Sequence, residues 1–528
     1  MRLHKKIPFT EIDSIPELIK DFLCANLTDA EGLQFSLDNF RSRISEKQDS
    51  YHSETREVLC TVMEKQIGGH ATSLSQQENL RLLRQRNTFT VTTGHQLNLF
   101  SGPVFFIYKI LQTIKTAKYL KEHFADCDFV PVFWMATEDH DFEEINFFRT
   151  EDRSYQIRGE AGGAVGRISI KDISFISAFE EEFRDSVFGT ELILMLKEAY
   201  TKGYTLAEAT RIFVNRMFSD YGLLVIDGDD SELKQLMIPA FKDELLNRSL
   251  YNHSQKQVEF LTEKYGKVQV NPREINLFYL SDTRNRIDFD GENYIVVDTE
   301  VKFTSDQIIE ELESHPQKFS PNALMRPVYQ ESVLPNVAYI GGNAEIMYWL
   351  ELTGYFTSIN LPFPILVPRN SMLFLKEKTL QKINRLELTA EDFFKDFSDI
   401  IKLKLLADSE ILNLLNAKES EIATAFNELR DVAKKTDITF GNLVSAEQTR
   451  QLKAYERMRK RLLRAEKIKQ YELVETLQRL YLQIHPSKNW QERVCNFSVF
   501  YAVEGHAWLE TCLEEMDVTQ SELIVMVH

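Results

Sequence analysis

TFTVTTGHQLNLFSGPVFFIYKILQTIKTAKYLKEHFADCDFVPVFWMATEDHD, residues 88–141, carries the strongest architectural signal in the chain. Its first eight residues are rich in β-branched side chains, pass through Gly94 and read as a strand feeding a loop. Ser101, Gly102 and Pro103 then open a helix over 104–123, with proline near the first turn, where a missing N–H costs least. The apolar run 130–136 follows as a buried strand with polar residues at its carboxyl end. Strand, loop, long helix and strand make a βαβ unit, which predicts an α/β protein with a parallel sheet. Such sheets bind ligands beyond the carboxyl ends of their strands. Two polar clusters fall at those ends, Thr93-Gly94-His95-Gln96 and Glu138-Asp139-His140-Asp141.

Outward from this unit the texture changes. The first 85 or so residues carry apolar side chains at helical spacing and read as helices. Residues 147–200 are mixed, with turn glycines, and read as an inserted excursion rather than core. A helix over 205–221 leads to GLLVIDGDD, a further strand ending in acidic residues. Short alternating runs over 267–301, broken by Asn-Pro and Asp-Gly, predict a β-rich insertion. The chain returns to the core with a strand at 337–340, a Gly-Gly turn and a helix, and FPILVPRNSM reads as the last core strand. Beyond it the text is almost purely helical. Ile422, Phe426 and Leu429, and then Leu452, Tyr455, Met458, Leu462 and Ala465, form apolar stripes of an antiparallel hairpin with its turn at TDITFGN. The resulting division is 1–146 (helices and first half of the core), 147–200 (first insertion), 201–265 (core), 266–323 (β-rich second insertion), 324–375 (core end), 376–484 (helical arm) and 485–528 (a segment folding back on the core).

Composition bounds the function. Of 528 residues, 43% are apolar and 27% charged, which is ordinary for a globular protein. Five scattered cysteines without a CxxC pair predict reduced thiols and a cytoplasmic setting. No run is long and apolar enough for a membrane span. A net charge of −18 opposes nucleic-acid binding, so no nucleic-acid or membrane partner is expected. One basic stretch, 450–469, has nine Lys or Arg against two Glu; it reads as a solvated helix face or a surface for phosphate or an acidic partner.

Several residues carry candidate chemistry. Backbone N–H groups at a helix N-terminus favour an anion, so Gly94, His95, Gln96, Ser101 and Gly102 predict a phosphate or carboxylate site, with Lys109 reaching back. The competing reading makes them turn glycines and a helix cap. Glu138, Asp139, His140 and Asp141 crowd three carboxylates and an imidazole together, which drives pKa values apart for acid–base work or suits a magnesium ion. An exposed acidic turn is the alternative. Gly341 and Gly342 permit close backbone approach, with Glu345 one turn into the next helix. Arg326 and Arg369, beside prolines at strand edges, suit carboxylates held bidentately, or plain salt bridges. Gln491 and Arg493 lie in a polar stretch that packs on the core or touches a ligand. Cys495 has no histidine at catalytic spacing, and there is no Ser-His-Asp signature, HExxH or EF-hand.

The blocks TGHQLNLFSGPVFFIYK, FVPVFWMATEDHDFEEIN, RPVYQESVLPNVAYIGGNAE, LPFPILVPR and QERVCNF, in this order, resemble the signature blocks of the BshC family across nearly the whole chain. The resemblance implies a Rossmann-like core similar to nucleotidyltransferases, with two connecting insertions and a coiled-coil arm used for homodimerisation. It also implies a ligase that condenses L-cysteine with glucosaminyl-malate to give bacillithiol, with ATP and Mg²⁺ as expected cosubstrate and ion. Many relatives read TGQQ where this chain has His95, so Gly94 and Gln96 carry the binding assignment there. EDHD matches in full, which makes Glu138, Asp139, His140 and Asp141, with Lys109, the expected chemical centre. In that scheme His140 or Asp141 takes the amine proton. Two other classes compete, a metal-dependent amide or phosphoester hydrolase and a dimeric scaffold without chemistry.

Overall fold

The computed structural model describes residues 1–68, 72–159, 162–433 and 435–528. It divides into two compact units, one of Met1–Glu11, Ile15–Phe374 and Trp490–His528, the other of Ile12–Ser14 with Leu375–Asn489.

The larger unit is built on a five-stranded parallel sheet. Its spatial order is Leu224–Asp227, Asp128–Met135, Thr88–His95, Asn336–Gly341, Ile365–Pro368. Numbered along the chain this is 3-2-1-4-5, the Rossmann-like order in which strand direction of growth reverses between the first and fourth strands. The crevice at that reversal lies beyond Gly94 and Gly341. Both faces are covered, which is why the strands are continuous apolar runs. Phe89, Val91, Leu120, Ile340 and Val367 belong to one buried apolar cluster. Phe106, Phe133 and Met135 belong to a second, larger one. The helix Phe105–His123 supplies the crossover between the first two strands.

Several expectations need correction. Residues 147–200 are not an excursion from the core. The described part contributes the hairpin Phe147–Arg149/Ser154–Gln156 and the helices Phe175–Phe183 and Gly189–Ala199, and Phe148, Tyr155, Phe179 and Leu192 join the same cluster as Phe106. Residues 160–161 of that stretch, and 69–71 of the N-terminal helices, lie outside the described residues. The N-terminus is not wholly helical. Arg2–Pro8 is a strand, paired antiparallel with the C-terminal strand Glu522–Val527 in a sheet completed by Ser371–Leu375. FPILVPRNSM is therefore two strands in two sheets, with Arg369 and Asn370 at the corner. Arg326 sits in the helix Met325–Val333 and not at a strand edge.

The second insertion is an antiparallel sheet of five short strands, ordered Lys302–Phe303, Tyr294–Val296, Arg284–Phe289, Leu277–Leu280, Phe319–Pro321.

The smaller unit is helical. Glu410–Ala433 and Ile438–Lys469 run antiparallel, as the pairs Glu419–Arg459 and Asn427–Gln448 show. Ile438 through Asn442 form the start of the second helix, so the turn precedes them rather than spanning TDITFGN. In the basic stretch Arg459, Arg450 and Lys460 pair with glutamates, while Lys453, Arg457, Arg461 and Arg464 are exposed. Among the described residues no helix is long and apolar enough to cross a membrane.

Candidate functional site

At the sheet reversal lies a cavity of about 340 Å³, lined by Gly94, His95, Gln96, Lys109, Asp139 and Arg326 with Gly342, Glu345, Arg369 and Arg493. Phe105, Trp134, Tyr339, Tyr348 and Trp349 supply its aromatic walls. Four cations and two carboxylates face it, so the lining favours an anionic ligand.

The floor is an ion pair. Lys109, 1% exposed, donates to both carboxylate oxygens of Glu345 at 2.8 Å and to the carbonyl of Gly94. All three ammonium protons are thereby committed, so Lys109 joins the first strand end to the fourth and has none left for a ligand. Glu345 also accepts from Tyr339 Oη at 2.9 Å and from the Gly342 N–H at 2.7 Å. Burial alone would raise its pKa; Lys109 and the Gly342 N–H outweigh that and hold it below the ordinary value. The Gly342 contact is the N-terminal cap of Asn343–Trp349, which explains a glutamate three residues after the glycine.

His95 packs between Phe105 and Phe106, each 5.2 Å away by ring centre. Burial, followed by the neighbouring Lys109, pushes its pKa down to about 3, so the ring is neutral. Its Nδ1 lies 3.1 Å from the Gln96 carbonyl, which assigns the proton there and leaves Nε2 as an acceptor.

The EDHD residues diverge. Only Asp139 lines the cavity. It accepts from Gln96 Nε2 at 3.1 Å, Arg326 Nη1 at 3.3 Å and the His140 N–H at 2.8 Å. Burial would raise its carboxyl, yet Arg326, Arg284, Gln96 and the His140 N–H together hold it well below the usual carboxylate range. Glu138 turns the other way, to Lys234 at 2.5 Å, and Lys234 also meets Asp229. His140 meets Arg284, a residue that sequence reasoning missed because it comes from the second insertion. Asp141 is half exposed. Asp139, His140 and Asp141 each offer a ligand atom within 4.8 Å of the others. Asp139 is already saturated by donors, however, and two guanidinium groups stand against the trio. The donor set does not fit magnesium.

Ser101 and Gly102 do not line the cavity. With Phe100 they form three successive residues at positive φ (46°, 68° and 59°). Asn496 clamps this turn, donating to the carbonyls of Phe100 at 2.8 Å and Gly102 at 2.6 Å. The Cys495 carbonyl accepts from the Val104 N–H at 2.8 Å, so the helix start expected to hold an anion is occupied by the chain itself. The C-terminal block thus shapes the loop. Gln491 is likewise spent on the backbone of Phe374. Arg369 is held bidentately by Glu492 at 2.9 and 2.6 Å. Arg493, exposed and resting 5.6 Å from the Phe105 ring, has no carboxylate partner among the described residues. Of the four cations lining the cavity it is, among the described residues, the one that meets no carboxylate.

Comparison with known families agrees with this architecture. Residues 9–370 match "Bacillithiol biosynthesis BshC, N-terminal Rossmann-like domain" and residues 372–528 match the corresponding "C-terminal coiled-coil domain". A protein of Flavobacterium johnsoniae named "Putative cysteine ligase BshC" is 41% identical over 91% of both chains. One of the same name from Christiangramia forsetii is 38% identical over 93% of this chain and 92% of its own. Another, from Chlorobaculum tepidum, is 29% identical over 84% and 83%. The chain belongs to the BshC family of bacillithiol biosynthesis.

Proposed function

We propose that this protein is a ligase that joins the carboxyl of L-cysteine to the amine of glucosaminyl-malate, with loss of water, to give bacillithiol. The observation that carries the reading is the unpaired Arg493 on an aromatic, cation-rich cavity at the sheet reversal. The malate carboxylates of the acceptor would take Arg493 and the free face of Arg326, since a guanidinium matches a carboxylate in charge and geometry. Family membership and the names of the relatives support the reaction class.

The remaining residues divide the work. Asp139 stays ionised and is taken up by Gln96, Arg326 and the His140 N–H, so it serves poorly as the base for an amine. Neutral His95 offers Nε2 to a donor on the ligand. Asp141, solvent-accessible and two residues from Asp139, is the group assigned in this proposal to take the proton released by the attacking amine. A nucleoside triphosphate is the activating cosubstrate in this proposal, because a free carboxylate does not acylate an amine. The smaller unit exposes Ile411, Leu414, Leu429, Val432 and Leu443, an apolar surface suited to a second copy in a homodimer.

The test is incubation of purified protein with L-cysteine and glucosaminyl-malate, with and without ATP and magnesium, followed by mass spectrometry. The expected product has the summed mass of both substrates less water and forms only with nucleotide. Absence of product under every condition would sink the ligase reading. Hydrolysis of amide or phosphoester substrates without nucleotide would support the hydrolase class instead.

A further inference from the structure

Arg284 opens the strand Arg284–Phe289 of the second insertion, outside every motif legible in the sequence. Its guanidinium is fixed from several sides. Nε donates to Ser320 Oγ at 3.0 Å, Nη2 to the Pro321 carbonyl at 2.8 Å, and its face covers the Phe278 ring at 3.9 Å. Nη1 lies 3.0 Å from His140 Nδ1. Burial lowers the Arg284 pKa to about 10, which leaves it protonated near neutrality. A guanidinium has donors and no acceptor. The contact therefore needs a lone pair on His140 Nδ1, and the neutral ring's one proton must sit on Nε2. That nitrogen faces Asp141 Oδ1, 3.9 Å away. The other charged neighbour, Asp139, lies 3.6 Å from Nδ1 and takes its hydrogen bond from the His140 backbone instead.

We propose that Arg284 is a positioning residue that holds His140 as the Nε2–H tautomer, making His140 a hydrogen-bond donor at the strand end and not the base for the amine. The catalytic consequence rests on the ligase reading; the tautomer does not. The β-insertion thereby sets the chemistry of a residue in the βαβ unit, and the base role passes from His140 to another group.

Histidine-selective ¹⁵N labelling of the full chain and long-range proton–nitrogen NMR near pH 7 test this. The His140 signals are those lost in His140→Gln. Wild type should show Nδ1 as a bare nitrogen and Nε2 carrying the proton. Arg284→Met should move the proton to Nδ1 or average the two nitrogens, and Arg284→Lys, which also only donates, should retain the wild-type pattern. A proton on Nδ1 in wild type, or an unchanged pattern in Arg284→Met, would overturn the proposal; if the methionine variant does not fold, the wild-type spectrum still decides. In the ligase assay, His140→Gln should lower turnover yet keep the acidic limb of the pH–rate profile. Loss of that limb would return the base role to His140. If wild type makes no product at all, the ligase reading fails while the NMR result still stands or falls alone.

Discussion

Replacing Lys109 by methionine removes the one cation that compensates Glu345. Lys109 is 1% exposed and its three protons go to Glu345, at 2.8 Å twice, and to the Gly94 carbonyl. Methionine nearly keeps the aliphatic stem, so the loss is chiefly electrostatic. Breaking a buried pair by deleting one partner costs about 3–5 kcal/mol, because the other charge is left stranded. Glu345 is 25% exposed in its side chain and keeps Tyr339 and Gly342 as donors, which places the expectation at the lower end, about 3 kcal/mol. Adding Glu345→Gln should recover most of that, with a coupling energy of about 2 kcal/mol in the double-mutant cycle. Urea unfolding followed by tryptophan fluorescence is the assay, since all four tryptophans lie in the larger unit and report on it alone. Lys109→Met within about 1 kcal/mol of wild type, or a double variant no more stable than the single one, would show that Lys109 does not compensate Glu345.

Three further outcomes follow from the geometry. A Cβ at Gly228 would lie 2.5 Å from Trp134 Cζ2, so Gly228→Ala should displace the indole wall and weaken acceptor binding about tenfold, read by calorimetry. Asn496→Ala strands the carbonyls of Phe100 and Gly102 beside a strained turn and should cost about 2–3 kcal/mol in urea unfolding. Burial raises Glu351 from 4.5 to about 8, against the N–H groups of Val270 and Gln269. A carboxyl raised in the folded state stabilises fully below its unfolded value and loses that contribution as pH climbs to the folded one. Stability should thus fall by about 3–5 kcal/mol between pH 4.5 and 8 and then level off, and Glu351→Gln should flatten that slope in pH-dependent melts.

The parallel core was legible because it is local in sequence. Thr88–His95 and Asp128–Met135 carry uninterrupted apolar or β-branched runs, and the helix between them starts and stops as its proline and length indicate. The strand Arg2–Pro8 was not legible, because an edge strand shows solvent its Arg2, His4 and Lys5 and buries little besides Ile7. Its partner Glu522–Val527 did carry a signal, the apolar run LIVMV at the very end of a helical text. In the site, Gly94, His95 and Gln96 line the cavity from the strand end read in the sequence, and Lys109 and Glu345 reach it from the helices that follow and Arg493 from the C-terminal block. What single residues cannot reveal is their partners. Arg369 and Glu492 are 123 residues apart, and Arg284 and His140 are 144 apart, so only the folded chain shows that one arginine is spent on a glutamate and the other meets an imidazole. For the same reason EDHD read as one cluster, although Glu138 and Asp139 point to different cations.

In the proposed reaction the cavity at the sheet reversal receives the carboxylate-bearing acceptor through Arg493. Calorimetric titration of glucosaminyl-malate into wild type and Arg493→Gln tests it most directly. Wild type should bind saturably and the variant at least about tenfold more weakly, as expected for loss of a charge-assisted contact. Equal affinity in the two proteins would contradict it and place the acceptor elsewhere on the molecule.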